Sequence, residues 1–427
     1  MPCKPDLPQK ATYIDLFSGC GGLSLGLGNA GWNGLFAVEK DPMAFSTFKH
    51  NLIDGKHAHF EWPEWFPKEA TTIQNLLEKY PEQLTALRGK VDLIAGGPPC
   101  QGFSLAGRRN AKDPRNKLSD EYIKMVEIVS PKYLLLENVR GFNASFKASE
   151  GKKSKKPHSM IVKAKLEKLG YEVFSDFICS AEFGVPQKRT RFIMIGIKKE
   201  LVVPHLINPF EVLSQSRTEF LNKKKLPLRP VKVSDAIGDL LVEKNGLTYH
   251  SGSELSGFKQ LNYQSPVKLS KYLKVIRKGA GKSKPNSLRL ARHKPSTIEK
   301  FTKIQEICKP GVSLSDQMRL EIGTKKQAIT VLNADEPSKT LTTLPDDLLH
   351  YSEPRILTVR EMARIQSFPD NFDILGKYTT GGERRTQECP RYTQVGNAVP
   401  PLLGEALGFT ILKIMARLEN GKITVRS

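Results

Sequence analysis

The chain has 427 residues, of which 39% are hydrophobic and 26% charged, a composition typical of folded globular proteins rather than disordered or fibrous ones. Lys and Arg total 66 against 44 Asp and Glu, which gives a formal net charge of +22. This excess favours a polyanionic partner, above all nucleic acid, with solubility alone as the alternative. No long basic amphipathic helix with an aromatic face is evident, which argues against a membrane surface.

The six cysteines, at positions 3, 20, 100, 179, 308 and 389, include no Cys-x-x-Cys pair. Their spacing indicates neither a zinc site nor a disulfide framework, so we expect reduced thiols and no metal. The sequence shows no leader-like N-terminus and no apolar span of about twenty residues. We therefore expect a protein that is neither secreted nor inserted in a membrane.

Residues 1–199 alternate short apolar strands with helical stretches, the pattern of a doubly wound α/β domain. Prolines and lysine clusters interrupt the pattern from residue 200, so residues 200–350 are predicted to form a smaller, mixed, basic domain that faces nucleic acid. A solvated charged surface is the alternative reading of that basic region. Helical periodicity at residues 358–366 and 399–418 predicts that residues 351–427 return to the first domain.

The turn after the first predicted strand is rich in glycine and opens a helix. It has neither the Lys-Ser/Thr ending of a phosphate-binding loop nor the spacing of a dinucleotide fingerprint. Glu39 ends the second strand, where a carboxylate can accept hydrogen bonds from two ribose hydroxyls, although a surface role is the alternative for Glu39 alone. Together these features fit a nucleoside-bearing cofactor without a required phosphate, such as S-adenosylmethionine. The turn reads Asp15-Leu16-Phe17-Ser18-Gly19-Cys20-Gly21-Gly22-Leu23.

Cys100 directly follows an apolar strand and the rigid sequence Gly96-Gly97-Pro98-Pro99. The prolines fix the backbone before the thiol, and the glycines allow another molecule to approach closely. Most free cysteines are small buried hydrophobic residues, but a packing role gains nothing from this lead-in. A nucleophile, in contrast, needs a fixed direction of attack, so we predict that Cys100 is one.

Two further segments carry charged residues beside predicted strands. Glu137 follows the strand at residues 133–136, so it is expected to face the same crevice as Cys100, with a helix cap or an ion pair as the alternative. Arg189 and Arg191 open the strand at residues 191–197 and are predicted to share a face by the period of two. Their guanidiniums can grip a base edge or a phosphate, and two solvent-facing cations are the alternative.

The combined pattern resembles the cytosine-5 DNA methyltransferase family of the bacterial restriction-modification type. The resemblance spans nearly the whole chain outside residues 200–350 and is carried by six segments in order. They are residues 15–22 (DLFSGCGG), 97–101 (GPPCQ), 137–139 (ENV), 187–191 (QKRTR), 360–369 (REMARIQSFP) and 394–400 (QVGNAVP).

The resemblance implies an enzyme with a Rossmann-like catalytic domain and a target-recognition domain that transfers a methyl group from S-adenosylmethionine to carbon 5 of a flipped cytosine. Cys100 would add to carbon 6, Glu137 would assist at N3, Arg189 would hold O2 and Arg191 would support the site. It also implies which residues line the cofactor pocket. These are Phe17, Ser18, Gly19, Cys20, Gly21, Gly22, Leu23, Glu39, Lys40, Ile73, Pro98, Asn397, Ala398 and Val399.

One position departs from the family pattern. Relatives show an Asp-Ile pair that meets the adenine amino group, whereas this chain has Thr72-Ile73, which leaves Glu69 or a backbone carbonyl as the substitute. The segment after Cys100 is small, polar and basic. By resemblance it closes over double-stranded DNA, with contacts expected from Gln101, Ser104 and Arg115.

Two alternatives remain beside DNA methylation. A tRNA methyltransferase would share the catalytic segments, but the Cys-Phe-Thr tripeptide of that branch is absent and the recognition region is large. A catalytically silent DNA-binding relative would typically lose the thiol or the glutamate, and both are present. We expect a monomer in the cytoplasm, associated with the nucleoid through DNA and acting alongside a separate restriction endonuclease.

Overall fold

A computed structural model describes residues 11–99, 118–144, 156–202, 208–249, 257–379 and 387–425, with side chains described through residue 419. The predicted nucleophile Cys100 and the predicted DNA contacts Gln101, Ser104 and Arg115 lie outside the described residues.

Six strands form the central sheet, in the order β2-β1-β3-β4-β7-β5. Strand β1 pairs in parallel with β2 and β3, and β3 pairs in parallel with β4, whereas β7 runs antiparallel to β4 and β5. This mostly parallel sheet confirms the predicted α/β class. The strands are β1 (Thr12–Leu16), β2 (Asn33–Val38), β3 (Leu93–Gly96), β4 (Tyr133–Asn138), β5 (Tyr171–Cys179) and β7 (Thr190–Lys198), and the two-residue β6 (Gln187–Lys188) precedes β7.

Helices cover both faces of this sheet, so β3 is buried along its whole length and β1 nearly so. The C-terminal helix packs against the first helix through glycine: a Cβ on Gly26 would lie 2.5 Å from the Pro401 carbonyl oxygen. The indole of Trp32 donates a hydrogen bond of 3.1 Å to the Gly408 carbonyl across the same contact. The helices are α1 (Gly22–Ala30), α2 (Pro42–Phe48), α3 (Ile73–Lys79), α4 (Pro81–Ala86), α5 (Leu118–Val129), α6 (His158–Lys168), α7 (Pro209–Lys223) and α15 (Pro401–Val425).

Residues 226–397 contain short elements. Helix α7, which the predicted boundary at residue 200 assigns to the second domain, packs against α15, where Lys413 pairs with Glu219. The helices here are α8 (Val233–Ile237), α9 (Val242–Asn245), α10 (Lys271–Ile276), α11 (Pro295–Ile307), α12 (Asp316–Ile322), α13 (Val359–Ile365) and α14 (Arg391–Asn397). The strands are β8 (Leu247–Tyr249), β9 (Lys259–Leu261), β10 (Thr330–Val331), β11 (Ser338–Lys339) and β12 (Leu348–Leu349).

Helix α13 joins these short elements through buried ion pairs. It begins with a capping box between Thr358 and Glu361, and every one of its residues is buried. Arg364 pairs with Asp370 at 2.8 Å and with Asp239 at 2.5 Å, so one fully buried guanidinium ties residues far apart in sequence. Removing Arg364 would leave the buried Asp239 carboxylate without a cationic partner among the described residues, which is strongly destabilising.

Among the described residues, one stretch, Arg391–Glu419, is long and apolar enough to be tested as a membrane span. Most of its apolar window is buried against the rest of the protein, as in the core helix of a globular fold. This placement agrees with the contact between α15 and α1.

Candidate active site and cofactor pocket

The carboxyl ends of the parallel strands β1 to β4 meet at one edge of the sheet, where α/β proteins bind their ligands. The glycine-rich turn follows β1 and Glu39 follows β2. The segment Gly97-Pro98-Pro99 follows β3, and Glu137 lies at the end of β4. The fold therefore brings the predicted cofactor motifs, the glycine-rich turn and Glu39, to the same edge of the sheet as Glu137 and the segment that leads to the predicted nucleophile.

The turn after β1 has the backbone conformation that its glycines allow. Phe17 and Gly19 have positive φ angles of 62° and 57°. A Cβ on Gly22 would lie 2.2 Å from the Val399 carbonyl oxygen, so only glycine lets this turn approach the C-terminal segment. No atom lies within 4 Å of a Cβ built on Gly19, and the buried Ser18 hydroxyl has no hydrogen-bond partner among the described residues. The turn therefore offers open space and an unused polar group to a small ligand.

Glu39 is oriented by backbone donors at both carboxylate oxygens. Gly19 N–H donates to Oε2 at 2.9 Å and Asp41 N–H donates to Oε1 at 2.8 Å. Burial raises the pKa of Glu39, and these two N–H groups oppose the rise. The neighbouring Lys40 is exposed, while Asp41 caps α2. Glu39 is thus a fixed acceptor beside the glycine turn, with lone pairs left for ribose hydroxyls.

Two other predicted pocket residues are buried in the core. Cys20 is 2% exposed, its thiol donates to the Gln394 carbonyl at 3.6 Å, and burial raises its pKa to about 12. Ile73 is also 2% exposed and begins α3. Thr72 caps that helix by accepting from Asn75 N–H, and the Glu39 carbonyl accepts from Thr71 N–H at 2.8 Å. The Thr72 hydroxyl therefore lies on a segment bonded directly to the end of β2.

Glu137 forms an ion pair with Arg191, with 2.9 Å between Oε1 and Nε. Oε2 of the same carboxylate would be 3.2 Å from a Cβ built on Gly97, so glycine leaves room for Glu137 above the lead-in to Cys100. Asn138 donates from Nδ2 to the Pro98 carbonyl at 3.1 Å, which fixes the same lead-in to the end of β4. The pair and the proline segment thus belong to one rigid assembly.

Arg189 does not share this face, contrary to the prediction from strand alternation. It is 2% exposed, and its guanidinium donates to the carbonyls of Leu341 and Gly396 at 3.1 Å each. Burial, together with the nearby Arg191 cation, holds the pKa of Arg189 well below its usual value. The alternation fails because Arg189 lies in the break between β6 and β7. The structure thus gives Arg189 a scaffold position and Arg191 the contact with Glu137.

A buried pair of glutamines, neither of them predicted from sequence as a functional residue, supports the C-terminal segment of the pocket. Gln187 Nε2 donates to Gln366 Oε1 at 2.7 Å, and Gln366 Nε2 donates to the carbonyls of Val395 and Ala398 at 2.8 and 3.2 Å. Leu341 N–H donates to Gln187 Oε1 at 2.8 Å. Both glutamines stand inside the segments that carried the family resemblance, which was the available signal.

These contacts place the segment Asn397-Ala398-Val399 over the glycine turn. Asn397 is exposed, whereas Ala398 and Val399 are partly buried. The Val399 carbonyl lies above Gly22, and Leu23 follows in α1. Among the described residues, no group of three or more His, Cys, Asp or Glu side chains could hold a metal ion.

Comparison with known proteins identifies the family. Residues 11–413 match the model for C-5 cytosine-specific DNA methylase. The chain is 32% identical over 410 residues to the Type II methyltransferase M1.HphI of Haemophilus parahaemolyticus, covering 94% of this chain and 87% of that protein. It is 31% identical to M.DdeI of Desulfomicrobium norvegicum, covering 92% and 86%.

The fold is shared with solved structures. A DNA modification methyltransferase encoded within an E. coli prophage matches with a TM-score of 0.63 and 24% identity, covering 95% of this chain and all of that one. The Dnmt2 methyltransferase of S. pombe matches with a TM-score of 0.53 and 14% identity, covering 96% and 100%. By the family match and the identity to these relatives, the chain belongs to the C-5 cytosine-specific DNA methylases and is a DNA cytosine-5 methyltransferase.

Proposed function

We propose that this enzyme takes the methyl group from S-adenosylmethionine and places it on carbon 5 of a cytosine flipped out of a specific duplex sequence. The observation that carries the proposal is the Glu137–Arg191 pair, whose carboxylate lies beside Gly97, three residues before Cys100 in the chain. A carboxyl group next to the nucleophile is what the addition to cytosine requires. The finer roles below follow from that arrangement.

Cys100, which lies outside the described residues, is the proposed nucleophile. Its thiolate adds to carbon 6 of the base, which makes carbon 5 able to accept a methyl group. Glu137 acts here in its protonated form: one oxygen donates its proton to N3 and the other accepts from the exocyclic amine, so the negative charge that develops in the ring is stabilised. Water then takes the proton from carbon 5, the Cys100 thiolate is expelled, and N3 returns its proton to Glu137, which restores the aromatic base.

We assign the contact with O2 of the base to Arg191 rather than to Arg189. Arg191 uses Nε for Glu137 and Nη1 for the Thr190 carbonyl. Its Nη2 has no acceptor among the described residues, so this donor is available to a base beside Glu137. Arg189 instead supports the pocket by binding the backbone of residues 341, 396 and 397.

The described residues fit S-adenosylmethionine, which when bound supplies an electrophilic methyl group on a sulfonium. Glu39 accepts from the ribose hydroxyls, and the unpartnered Ser18 hydroxyl and the open face of Gly19 receive polar atoms of the ligand. The other proposed pocket residues lie on the glycine turn, at the proline segment and over the turn, with the buried Cys20 and Ile73 packed behind the surface that would meet the ligand. These are Phe17, Cys20, Gly21, Gly22, Leu23, Lys40, Ile73, Pro98, Asn397, Ala398 and Val399.

Labelled S-adenosylmethionine tests the proposal. We expect methyl incorporation into duplex DNA and none into tRNA, with Cys100→Ala inactive although it still binds duplex DNA. Incorporation by Cys100→Ala, or into tRNA alone, would overturn the proposal. Failure of the wild type with either substrate, together with DNA binding, would favour a silent DNA-binding relative.

Several relatives are named Type II methyltransferases, which motivates two proposals about biological context. The enzyme protects DNA from a separate restriction endonuclease, and it works as a monomer on DNA in the cytoplasm. Gln101, Ser104 and Arg115 are the proposed DNA contacts of the segment after Cys100. Cytosine-conversion sequencing of DNA from expressing cells would show whether one sequence is methylated throughout the genome, as protection requires.

A further inference from the structure

Arg289 lies within a stack of aromatic rings and guanidiniums. Its Cζ is 4.1 Å from the centroid of Phe258 and 3.7 Å from the centroid of Tyr378. Arg391 lies over Tyr378 at 4.4 Å, and Arg292 lies over Phe258 at 5.5 Å. Contacts with two rings restrict the Arg289 side chain before any partner arrives, so little of its conformational freedom remains to be lost on binding.

The guanidinium N–H groups of Arg289 have no acceptor in the part of the chain that the structure describes. Among the described residues, the guanidinium has no carboxylate partner and no hydrogen-bond acceptor, whereas Arg391 donates to the Gly376 carbonyl and the Ser287 hydroxyl. Partial burial holds the pKa of Arg289 below its usual value, and the Arg391 cation contributes in the same direction. An ordered cation whose donors have no acceptor among the described residues, and which has a cationic neighbour, is suited to an external acceptor.

The surrounding chain points to a polyanion as the source of that acceptor. Between Glu254 and Glu299 there is no Asp or Glu, whereas the same stretch contains eleven Lys or Arg residues. Lysines 278, 282, 284 and 294 are all exposed. These lysines can bind phosphates as point charges, whereas the planar guanidinium of Arg289 can make a bidentate contact with a base edge.

The stack is also close to the catalytic edge. Arg391 begins α14 and Asn397 ends it, a distance of about 9 Å along a helix of this length. The Asn397 carbonyl accepts from Arg189, at the back of the site. At about 3.4 Å per base step, this 9 Å corresponds to about three base pairs, so Arg391, which shares the Tyr378 ring with Arg289, is separated from Asn397 by the length of a short target sequence.

We propose that Arg289 reads a guanine of the target sequence through its O6 and N7 atoms in the major groove. These two coplanar acceptors match two N–H groups of one guanidinium. Because aromatic rings cover the faces of the Arg289 guanidinium, its N–H groups at the edge of the plane are the part that can meet a base. The inference rests on the proposed action on duplex DNA, and it adds a specificity-determining residue outside the catalytic segments.

The test compares wild type with Arg289→Lys, which keeps the charge but loses the fork, and Arg289→Met, which loses both. Lys294→Met is the matched control, since it removes an exposed charge from the same segment. Each protein methylates a pool of duplexes of random sequence, and cytosine-conversion sequencing gives its preference at every position. Both Arg289 variants should lose roughly 10- to 100-fold of the discrimination for guanine at one position, and Lys294→Met should retain it.

Other outcomes decide against the proposal. A uniform loss of activity on all sequences, with a shallower dependence of DNA binding on salt, would mean that Arg289 contacts a phosphate. Unchanged preferences in Arg289→Lys would also overturn it, and this variant gives the answer if Arg289→Met fails to fold. Wild-type methylation of a defined sequence in the same pool keeps a failure here distinct from a failure of the proposed function.

Discussion

The Arg191 guanidinium and the Glu137 carboxylate are each about one-tenth exposed, so their ion pair is largely shielded from water. Shielding strengthens the interaction and fixes both groups before substrate binds, as electrostatic catalysis requires. Arg189 is two positions away, yet its donors are used by backbone carbonyls. The two arginines should therefore respond differently to substitution.

Arg191→Lys should lower kcat roughly 10- to 100-fold, because a lysine cannot hold Glu137 and also present a second donor in the same plane. Its free energy of unfolding should change by less than about 1 kcal/mol. Arg189→Met should instead lower the free energy of unfolding by about 3 kcal/mol, since buried carbonyls lose their donors. Steady-state rates and urea unfolding of both variants measure the contrast, and the reverse pattern would refute the assignment.

Thr72→Asp should strengthen binding of S-adenosylmethionine several-fold. The resemblance places an aspartate here to meet the adenine amino group, and Asp preserves the cap of α3 that Thr72 provides. Thr72→Val is the control, because it removes the cap and should cost about 1 kcal/mol of stability without improving affinity. Calorimetric titration measures both affinities, and equal affinity of wild type and Thr72→Asp would rule out this position as the adenine contact.

The positions of Glu39 and Glu137 at the edge of the sheet could be predicted from the order of the strands along the chain. Glu39 and Glu137 each come directly after or at the end of a parallel strand, and parallel strands end at one edge. The direction of Arg189 was not predictable from alternation, because the chain breaks between Lys188 and Thr190. A period of two has meaning only within one continuous strand.

At the scale of secondary structure, glycine determines how closely elements meet around the pocket. Gly22 begins α1 beneath the Val399 carbonyl, and Gly26 lies against the start of α15. These contacts join the first and last parts of the chain. The glycine turn was recognisable from sequence as a ligand loop, but its partner about 375 residues away was indicated only by family resemblance.

Gly22→Ala should therefore damage both stability and cofactor binding. The added Cβ would lie 2.2 Å from the Val399 oxygen and 3.2 Å from Phe368, so the C-terminal segment must move. We expect a loss of about 2 kcal/mol in the free energy of unfolding and a weaker affinity for S-adenosylmethionine. Asn29→Ala, at an exposed position of the same helix, should change neither. Unfolding curves measure the stability of both variants, and calorimetric titration measures their affinity for S-adenosylmethionine. Equal values for Gly22→Ala and Asn29→Ala would contradict the prediction.

The short strands after residue 226 illustrate what sequence alone could not give. Strand β11 has two residues and pairs with β6, about 150 positions earlier, through Ser338 and Gln187. So short a strand has no periodicity of its own and exists only because of its distant partner. The basic character of the region was evident from composition, whereas its contacts with the catalytic part were not.

At the scale of the whole molecule, stability depends on buried ionisable groups between distant segments. His350 is fully buried, 3.6 Å from Glu361 of α13, and its carbonyl accepts from Gln305 of α11. Burial lowers the pKa of His350 to about 4, with Glu361 opposing the shift and Arg355 adding to it. The folded protein therefore holds this histidine neutral where the unfolded chain would protonate it.

This depressed pKa predicts a loss of stability in acid. The unfolded histidine takes up a proton below pH of about 6.5 and the folded one only near the pKa of about 4, so stability falls over that interval by about 3 kcal/mol. Asp15, whose pKa is raised to about 7, has the opposite effect between about pH 4 and 7. Comparing wild type with His350→Gln cancels the Asp15 contribution. Urea unfolding at pH 4 to 7 should show that the free energy of unfolding of the variant lacks the decrease in acid that His350 causes. Wild-type and variant free energies that change in parallel with pH would contradict the prediction.

Trapping of the covalent adduct tests the central claim most directly. A duplex carrying 5-fluorocytosine at the methylated position cannot lose a proton from carbon 5, so the bond to Cys100 cannot be released. With S-adenosylmethionine, wild-type enzyme should form a complex that survives denaturing electrophoresis, and Cys100→Ser should form none. Absence of the complex for wild type that methylates the ordinary duplex, or its persistence in Cys100→Ser, would contradict the account.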